Sequence, residues 1–317
     1  MSTTARPYEP AGPPGPASEG AALGAASAPL AEQRTRALLA WDAFRDLAAA
    51  ADPDAPSRLP GWTGRAVVAH LASWPDEPLL ARLLAEARGT RSADAEPLDQ
   101  DTANAALVEA HRDATAAELL AALDDGRTRL VAAFDAVERE GIGLARTGSQ
   151  VGPVPLLTQL GAIAYELAVH AADLVPCGAP EADAELVDAG LLALADITGA
   201  LAARYGLTAE SALVGPGGGW AFAADGGGWS VRAVPAGKST GPAVRASSAA
   251  LLLDASAGRR SVPPLLVKRD LRLDNVPGLL ALAPLLDRVP GLPGGPALNV
   301  AAGWLGGLGR AIGRFQR

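Results

Sequence analysis

The apolar residues of this 317-residue chain change their spacing once, near residue 205, and this change constrains the fold more than any other feature. From about residue 28 to 204 they recur every three to four positions, the period of amphipathic helices. Beyond that point the period falls to two in short stretches bounded by glycine: "GWAFAAD", "GGGWSVRAV" and "GPAVRAS". This pattern is typical of strands joined by turns. The sequence therefore predicts an all-helical half and a smaller α/β half, with a break near 205–212.

Start and stop signals divide the helical half. A first helix is predicted over about 28–52 and a last one over about 181–204. Thr63 is placed to cap a helix over "TGRAVVAHLASW", which Pro75 ends. Thr115 and Glu118 have the spacing of a capping box. Pro155 is placed to begin a long helix that ends at Pro176 and Gly178. In the second half, "SAALLLDASAGRR" and "VPGLLALAPLLDRV" are predicted helices on either side of a strand in "DLRLDN".

These signals give a domain organisation. Residues 1–27 are rich in proline, glycine and alanine and have little to bury, so a disordered tail is predicted. We expect a helical bundle over 28–206, an α/β domain over 207–292 and a C-terminal tail over 293–317.

Composition excludes several classes of protein. A net charge of -8 argues against binding of a nucleic-acid backbone, because such proteins usually present a basic face. The single cysteine, Cys177, excludes an internal disulfide framework and agrees with a reducing compartment. No uninterrupted apolar run reaches the roughly 18 residues of a membrane span, and no leader pattern is visible at the N-terminus, so a cytoplasmic protein is expected. Lys238 and Lys268 are the only lysines among 27 basic residues, a usage typical of a GC-rich genome.

The helix predicted over 155–175 holds a carboxylate and an imidazole among apolar residues, in "AIAYELAVHAADL". At about 100° per residue, one narrow stripe faces the core and contains Leu156, Leu160, Ile163, Leu167 and Leu174. His170 lies about 40° and Glu166 about 80° from the centre of this stripe, on the same side. A carboxylate there loses hydration unless a cation or several donors compensate, so we expect a positive group beside Glu166.

A third residue of the same kind lies on another predicted helix. His70 is about 60° from the apolar stripe of its helix, formed by Val67, Leu71 and Trp74. Two histidines and a glutamate form a three-ligand set that leaves one position open on Zn²⁺, as in catalytic sites, although other divalent metals accept the same ligands. The alternative is an ordinary buried pair, with Glu166 bound to an arginine and His170 satisfied in the core.

Other conspicuous residues have simpler interpretations. His111 is placed at the end of a polar helix, where an imidazole complements the dipole. Cys177 is expected to be a loop or core thiol, and Trp220 and Trp229 to fill the core of the small sheet. The stretches "PGGG" and "DGGG" are predicted turns, since no helix with a phosphate-binding pattern follows them.

The stretches "LPGWTGRAVVAHLASW" and "LGAIAYELAVHAADL" resemble the mycothiol-dependent maleylpyruvate isomerase family, a branch of the DinB-like four-helix-bundle metalloproteins. The resemblance implies that His70, Glu166 and His170 ligate zinc. Asp173 fits the H-x-x-D ending of this family and is placed to orient His170 from behind, or else to lie on the rim of the helix. The second half resembles the sterol-carrier-protein-2-like domain found in many of these proteins, through "SSAALLLDASAGRR" and "DLRLDNVPGLLAL". Together the resemblances cover residues 30–290.

The family resemblance also implies a function. A low-molecular-weight thiol, which is mycothiol in GC-rich actinobacteria, would bind at the open metal position, where the metal favours thiolate over thiol. The thiolate would add to the cis double bond of a small molecule such as maleylpyruvate, the bond would rotate and the thiol would leave; relatives transfer the thiol instead. Either reaction needs a cation for the developing negative charge, and Arg232 and Arg245, on strands that could face the bundle, are the candidates. The alternative for each arginine is a solvated charge on its strand.

Two other functions are compatible with the same residues. One is a non-catalytic protein in which zinc is structural or sensed and the second half binds an apolar ligand. The other is a biosynthetic tailoring enzyme with a different substrate. A protein ligand at the fourth metal position, from His111 or Asp173, would contradict the catalytic interpretation.

Overall fold

A computed structural model describes residues 22–72, 79–93, 100–149, 152–237 and 241–288. Several sequence predictions fall outside these residues. They are Trp74 of the apolar stripe on the second helix, Pro75 at the end of that helix, residues 1–21 of the N-terminal tail and the C-terminal tail over 293–317. In the first half the helices are α1 (Leu30–Ala50), α2 (Gly64–Ala72), α3 (Leu79–Ala87), α4 (Gln100–Ala110), α5 (Ala116–Glu140), α6 (Leu156–Asp173) and α7 (Ala184–Arg204). A two-stranded ribbon of β1 (Arg146–Thr147) and β2 (Val154–Pro155) precedes α6.

The predicted helix ends are confirmed where the sequence carried a specific signal. The Thr115 hydroxyl accepts a hydrogen bond from the Glu118 amide, and the Glu118 carboxylate accepts one from the Thr115 amide. Helix α5 ends at Gly141, whose positive φ of 66° suits glycine. Helix α6 follows Pro155, and a turn of 3₁₀ helix (Val175–Cys177) follows α6 and ends at Gly178.

Helices α1, α2, α5 and α6 pack into a bundle around the apolar stripe of α6. The stripe is Leu156, Leu160, Ile163, Leu167 and Leu174, and each of these side chains is buried. Burial of such a side chain contributes about 1.5–3 kcal/mol. The bundle therefore fixes the rotation of α6 about its axis, and with it the direction of Glu166 and His170.

The second half is built on a five-stranded sheet of described residues, in the order β5-β4-β3-β6-β7. Only the β3–β6 pair is parallel. The strands and helices are β3 (Thr208–Gly215), β4 (Gly218–Asp225), β5 (Trp229–Pro235), β6 (Ala243–Ala246), α8 (Ala249–Ser256), α9 (Val262–Lys268), β7 (Leu271–Asp274), α10 (Val276–Leu279) and α11 (Ala283–Arg288). The predicted C-terminal helix is interrupted by a 3₁₀ turn (Leu280–Leu282) between α10 and α11.

The central strand β3 occupies the stretch where a break between the two halves was predicted. Its sequence "TAESALVG" contains two alanines and a glutamate, residues with low strand propensity, so the period-two signal was weak. Strand β3 lies between β4 and β6, and its hydrogen bonds to these two strands stabilise it despite the low strand propensity of its residues. Helix α7 ends at Arg204 and β3 begins at Thr208, on either side of the predicted domain boundary.

Helix α7 is shared by both halves, because it packs on α6 and also covers one face of the sheet. By length and composition α7 is apolar enough to cross a membrane, with a mean hydropathy of 1.7, although Asp188 and Asp196 interrupt the run. Most of this helix is buried inside the molecule. Core helices of soluble proteins have the same composition, so α7 is explained by its place between the bundle and the sheet.

The first described residues differ from the predicted disordered tail. Residues 24–27 form a 3₁₀ turn in which Ala26 is buried. The Ala25 amide donates to Asp196 Oδ1 over 2.8 Å, and the Trp229 amide donates to the Ala22 carbonyl. The small residues of this segment give weak sequence signals, yet they fit closely against α7 and β5.

Candidate metal centre

Three side chains from two helices converge at one end of the bundle. His70 lies in the last turn of α2, whereas Glu166 and His170 lie one turn apart on α6. One potential ligand atom from each residue lies within 4.8 Å of the other two. Glu166 Oε2 is 3.6 Å from His170 Nε2. The structure thus brings together the three residues that the sequence analysis selected.

The donor set fits a divalent metal. Two ligand atoms at about 2.1 Å from a tetrahedral zinc ion lie about 3.4 Å apart, close to the separation of Glu166 and His170. His70 Nδ1 is buried and has no hydrogen-bond partner among the described residues. Since a buried nitrogen without a partner is costly, this atom supports a bound metal or ligand in the functional protein. Imidazole and carboxylate together suit zinc and neighbouring first-row metals.

Burial differs among the three residues. The imidazoles of His70 and His170 are buried, whereas 47% of the Glu166 side chain remains exposed. The open side of the centre therefore lies on the Glu166 flank, where a small molecule can approach.

The electrostatics favour the ligand forms of His70 and Glu166. Burial, the neighbouring His170 and the charge of Arg259 lower the pKa of His70 to about 4, against the opposing effect of Glu166. Burial raises the pKa of Glu166, but the contact with His170 and the charges of His70 and Arg259 outweigh it, so that this pKa lies below its usual value. A neutral imidazole and an ionised carboxylate are the forms that bind metals.

The loop between α1 and α2 forms one wall of the centre. Trp62 presents its ring edge-on to His70 at a centroid distance of 5.7 Å, and His70 packs in the same way on His170 at 5.0 Å. The Trp62 carbonyl accepts hydrogen bonds from the amide and the hydroxyl of Ser57. This turn holds Trp62 in place and so restricts the His70 ring.

Asp173 lies behind His170, at the end of α6. Its Oδ2 is 3.0 Å from His170 Nδ1, on the opposite side of the ring from the atom that approaches Glu166. The carboxylate is fully buried and also accepts hydrogen bonds from Arg58 Nε (2.9 Å) and Arg259 Nη2 (3.0 Å). Burial raises the pKa of Asp173, but His170 and Arg259 outweigh it and hold that pKa at about 2. Asp173 is thus placed to orient His170, and it does not close the fourth metal position; the orienting role stays a prediction.

Arg232 and Arg245 are not brought to the centre. In the sheet register Arg232 lies opposite Ala221 and Arg245 beside Val214. These positions belong to the sheet face opposite the one that packs Phe222 and Trp229 against α7, because side chains alternate along a strand. Arg245 is paired with Asp274. The expectation that these strands could turn both arginines toward the bundle is therefore wrong. Neighbouring residues of a strand point to opposite faces of the sheet, so a shift of one residue in register would be needed to bring the arginines to the other face.

Arg259 is one of two arginines at Asp173 that the sequence analysis did not select; the other is Arg58. Arg259 follows α8 and contacts Asp173, and its charge acts on both His70 and Glu166. Its position in the second half, directly before Arg260, gave no periodic signal. Only the expectation of a cation beside Glu166 pointed to such a residue.

The remaining candidates lie outside the metal-binding group. His111 Nδ1 is 2.9 Å from the Leu107 carbonyl, within its own helical turn. The Cys177 thiol is buried, contacts the Ala55 carbonyl at 3.5 Å and has a pKa raised by burial. Trp229 is buried against α7, as predicted for a core residue, whereas Trp220 is only partly buried and donates to Asp188.

Residues 34–175, from α1 to the end of α6, match the model of a family described as the mycothiol maleylpyruvate isomerase N-terminal domain. Two solved structures are similar to the chain: "the mycothiol-dependent maleylpyruvate isomerase", at 21% identity, and a histidine-to-alanine mutant of that protein, at 20% identity. Each match covers 73% of this chain and 90% of the solved chain, with a TM-score of 0.48. No curated protein sequence matches the chain. The family match includes His70, Glu166, His170 and Asp173, whereas Arg259 lies beyond it.

Proposed function

We propose that this chain, whose residues 34–175 match the model of mycothiol maleylpyruvate isomerase N-terminal domains, is a thiol-dependent isomerase of a small molecule. The observation that carries the proposal is the convergence of His70, Glu166 and His170 inside the matched segment. Three protein ligands and an open flank are the arrangement of a catalytic metal site.

His70, Glu166 and His170 would hold a divalent metal, with zinc as the preferred ion. When bound, such an ion supplies Lewis acidity that stabilises a thiolate at neutral pH. The protein's own contribution is to keep the His70 imidazole neutral and to orient both imidazoles. Burial lowers the pKa of His170, but its contacts with Asp173 and Glu166 outweigh this effect, so that this pKa lies above its usual value and metal binding would displace the proton. Asp173 fixes the His170 ring from the Nδ1 side, and Trp62 limits the motion of His70.

The thiol is proposed to be mycothiol, and the substrate a cis-unsaturated carbonyl compound such as maleylpyruvate. The thiolate adds to the double bond, and the displaced electron pair moves to the carbonyl oxygen. The resulting carbon–carbon single bond rotates, and the electron pair then returns and expels the thiolate as the trans double bond forms. Negative charge develops on the carbonyl oxygen during addition, and a fixed cation stabilises it. Arg259 is the candidate for this role because it contacts Asp173, directly behind His170, and its charge acts on the ligand set.

The finer fold assignments belong to the same proposal. The bundle of α1, α2, α5 and α6 agrees with a DinB-like four-helix bundle. The five-stranded sheet with its flanking helices agrees with a sterol-carrier-like domain. In this arrangement the second half would supply Arg259 and close the substrate pocket.

The test is turnover of maleylpyruvate by the zinc-loaded protein with and without mycothiol. We expect isomerisation only when the thiol is present, and loss of at least 100-fold in kcat/KM on the change Arg259→Met. Arg232→Met is the matched control, because the Arg232 side chain lies on the sheet face that points away from α7. This change should leave turnover unchanged. Metal binding without thiol-dependent turnover would favour a sensor or another substrate.

A further inference from the structure

Arg58 contacts two carboxylates that belong to different halves of the molecule. Its Nε donates to Asp173 Oδ1 over 2.9 Å. Its Nη1 and Nη2 lie 2.9 Å and 2.8 Å from the two carboxylate oxygens of Asp254 on α8. The Asp173 side chain is fully buried, whereas those of Asp254 and Arg58 are 13% and 27% exposed, so these ion pairs are partly shielded from solvent. The guanidinium is therefore held in one position by fixed partners on both sides.

This position joins the three parts of the chain that meet at the metal centre. Arg58 lies in the loop that carries Trp62 and leads to His70. Its backbone amide also donates to the Asp173 carbonyl over 3.1 Å, at the end of α6. Through Asp254 it reaches α8 of the second half. Arg58 thus links three parts of the molecule: the loop that packs against His70, Asp173 behind His170, and helix α8 of the second half.

We propose that Arg58 is a positioning residue that fixes Asp173 behind His170 and makes metal affinity depend on the docked α8. This inference rests on the proposed metal centre and extends it to a residue that does not touch the ligand atoms. The planar guanidinium has several donors in a rigid arrangement, so it satisfies Asp173 and Asp254 together.

Loss of Arg58 would leave Asp173 with Arg259 as its remaining guanidinium partner. The carboxylate could then follow Arg259 away from the His170 ring, which would lose its fixed orientation. Changes to residues that support metal ligands typically lower metal affinity 10–100-fold. A lysine at this position would keep the charge but could not bind both carboxylates in the same geometry.

The experiment is a titration of the metal-free full-length protein with Co²⁺, followed by visible absorption. For Arg58→Met we expect a dissociation constant about 10-fold or more above that of the unaltered protein. We also expect an altered cobalt spectrum at saturation, which a mere loss of stability would not produce. Arg58→Lys should recover part of the affinity.

Arg88→Met is the matched control, because Arg88 also forms a two-pronged ion pair, with Glu140, away from the centre. It should leave Co²⁺ affinity and spectrum unchanged. Arg58→Met with unchanged affinity and spectrum would overturn the inference. Absence of Co²⁺ binding by the unaltered protein would instead overturn the proposed metal centre itself, together with the inference.

Asp254→Ala provides a second test that leaves Asp173 and its neighbours in place. Because Asp254 acts through Arg58, this change should weaken Co²⁺ binding several-fold alone and add little in the Arg58→Met background. If Arg58→Met does not fold, the Co²⁺ affinity of Asp254→Ala alone tests the role of Arg58. Unchanged affinity in Asp254→Ala, or fully additive losses, would contradict the link between α8 and the metal ligands.

Discussion

At the scale of single residues, the sequence predicted that His70, Glu166 and His170 lie together and placed Asp173 behind His170, but it did not predict which guanidiniums contact Asp173. His70, Glu166 and His170 were identified because all three lie beside the apolar stripes of their helices. Since these stripes face one another in the bundle, side chains beside them come close together. Arg58 and Arg259 come from loops far apart in the chain and meet only at Asp173. No spacing rule describes such contacts, because they depend on how α8 docks on the bundle.

Asp173 should be the most sensitive of the supporting residues. Asp173→Asn removes the charge that faces two guanidiniums and an imidazole, so we expect a loss of about 3 kcal/mol in the free energy of unfolding. Denaturant unfolding of the metal-free protein measures this loss. Asp135→Asn, which breaks the exposed pair with Arg34, is the control and should have no measurable effect. Equal stability of the two variants would show that Asp173 is not the centre of a buried network.

At the scale of elements, capping residues and prolines predicted the ends of helices correctly. The amino-acid composition gave wrong predictions for two segments. The capping box at Thr115 and the proline before α6 are confirmed. Strand β3 was missed because its alanines pack in the centre of a sheet, and residues 22–27 were assigned to a tail although they dock on α7 and β5. In both cases tertiary partners supply the stability that the local sequence lacks.

Asp196 on α7 ties this N-terminal segment to the sheet and should make its docking depend on pH. Its Oδ1 accepts hydrogen bonds from Ala25 and Trp229, and burial raises its pKa to about 6 despite these bonds. A carboxyl whose folded pKa is raised contributes stability below its unfolded pKa near 4, and that contribution is lost as pH rises through about 6.

Asp196→Asn retains an acceptor for both bonds without the titration. Relative to this variant, the unaltered protein should lose on the order of 2–3 kcal/mol between pH 4 and pH 7. Urea unfolding followed by tryptophan fluorescence at each pH measures the difference. Parallel pH profiles of the two proteins would contradict the assignment.

At the scale of the whole molecule, one buried cluster joins the bundle to helices α8 and α9 of the second half, whereas Phe222 and Trp229 of the sheet pack in a second cluster with the end of α7. Helix α7 packs on the bundle and on the sheet, and Leu252 and Leu253 of α8 belong to the same buried cluster as α6. Gly190 allows this approach, because a Cβ atom there would lie 2.7 Å from that of Ala168 and 3.2 Å from Leu253. The change in periodicity located the junction but could not show that the core continues through it.

Unfolding should therefore be cooperative across the junction. Leu253→Ala is expected to lower the stability of both halves by about 2–5 kcal/mol, with helical circular dichroism and tryptophan fluorescence changing together. Val267→Ala is the control, since that side chain is largely exposed and should change little. Two separate transitions, with only the second half affected, would show that the cluster around Leu253 does not couple the two halves.

The central claim is that His70, Glu166 and His170 form a metal centre with room for a thiol. The most direct test is the metal content of the purified protein and of His170→Ala, combined with calorimetric titration of mycothiol into both. The account predicts about one zinc ion per chain, with metal and thiol binding lost together in the variant. Absence of metal from the unaltered protein, or thiol binding that persists in metal-free His170→Ala, would contradict it.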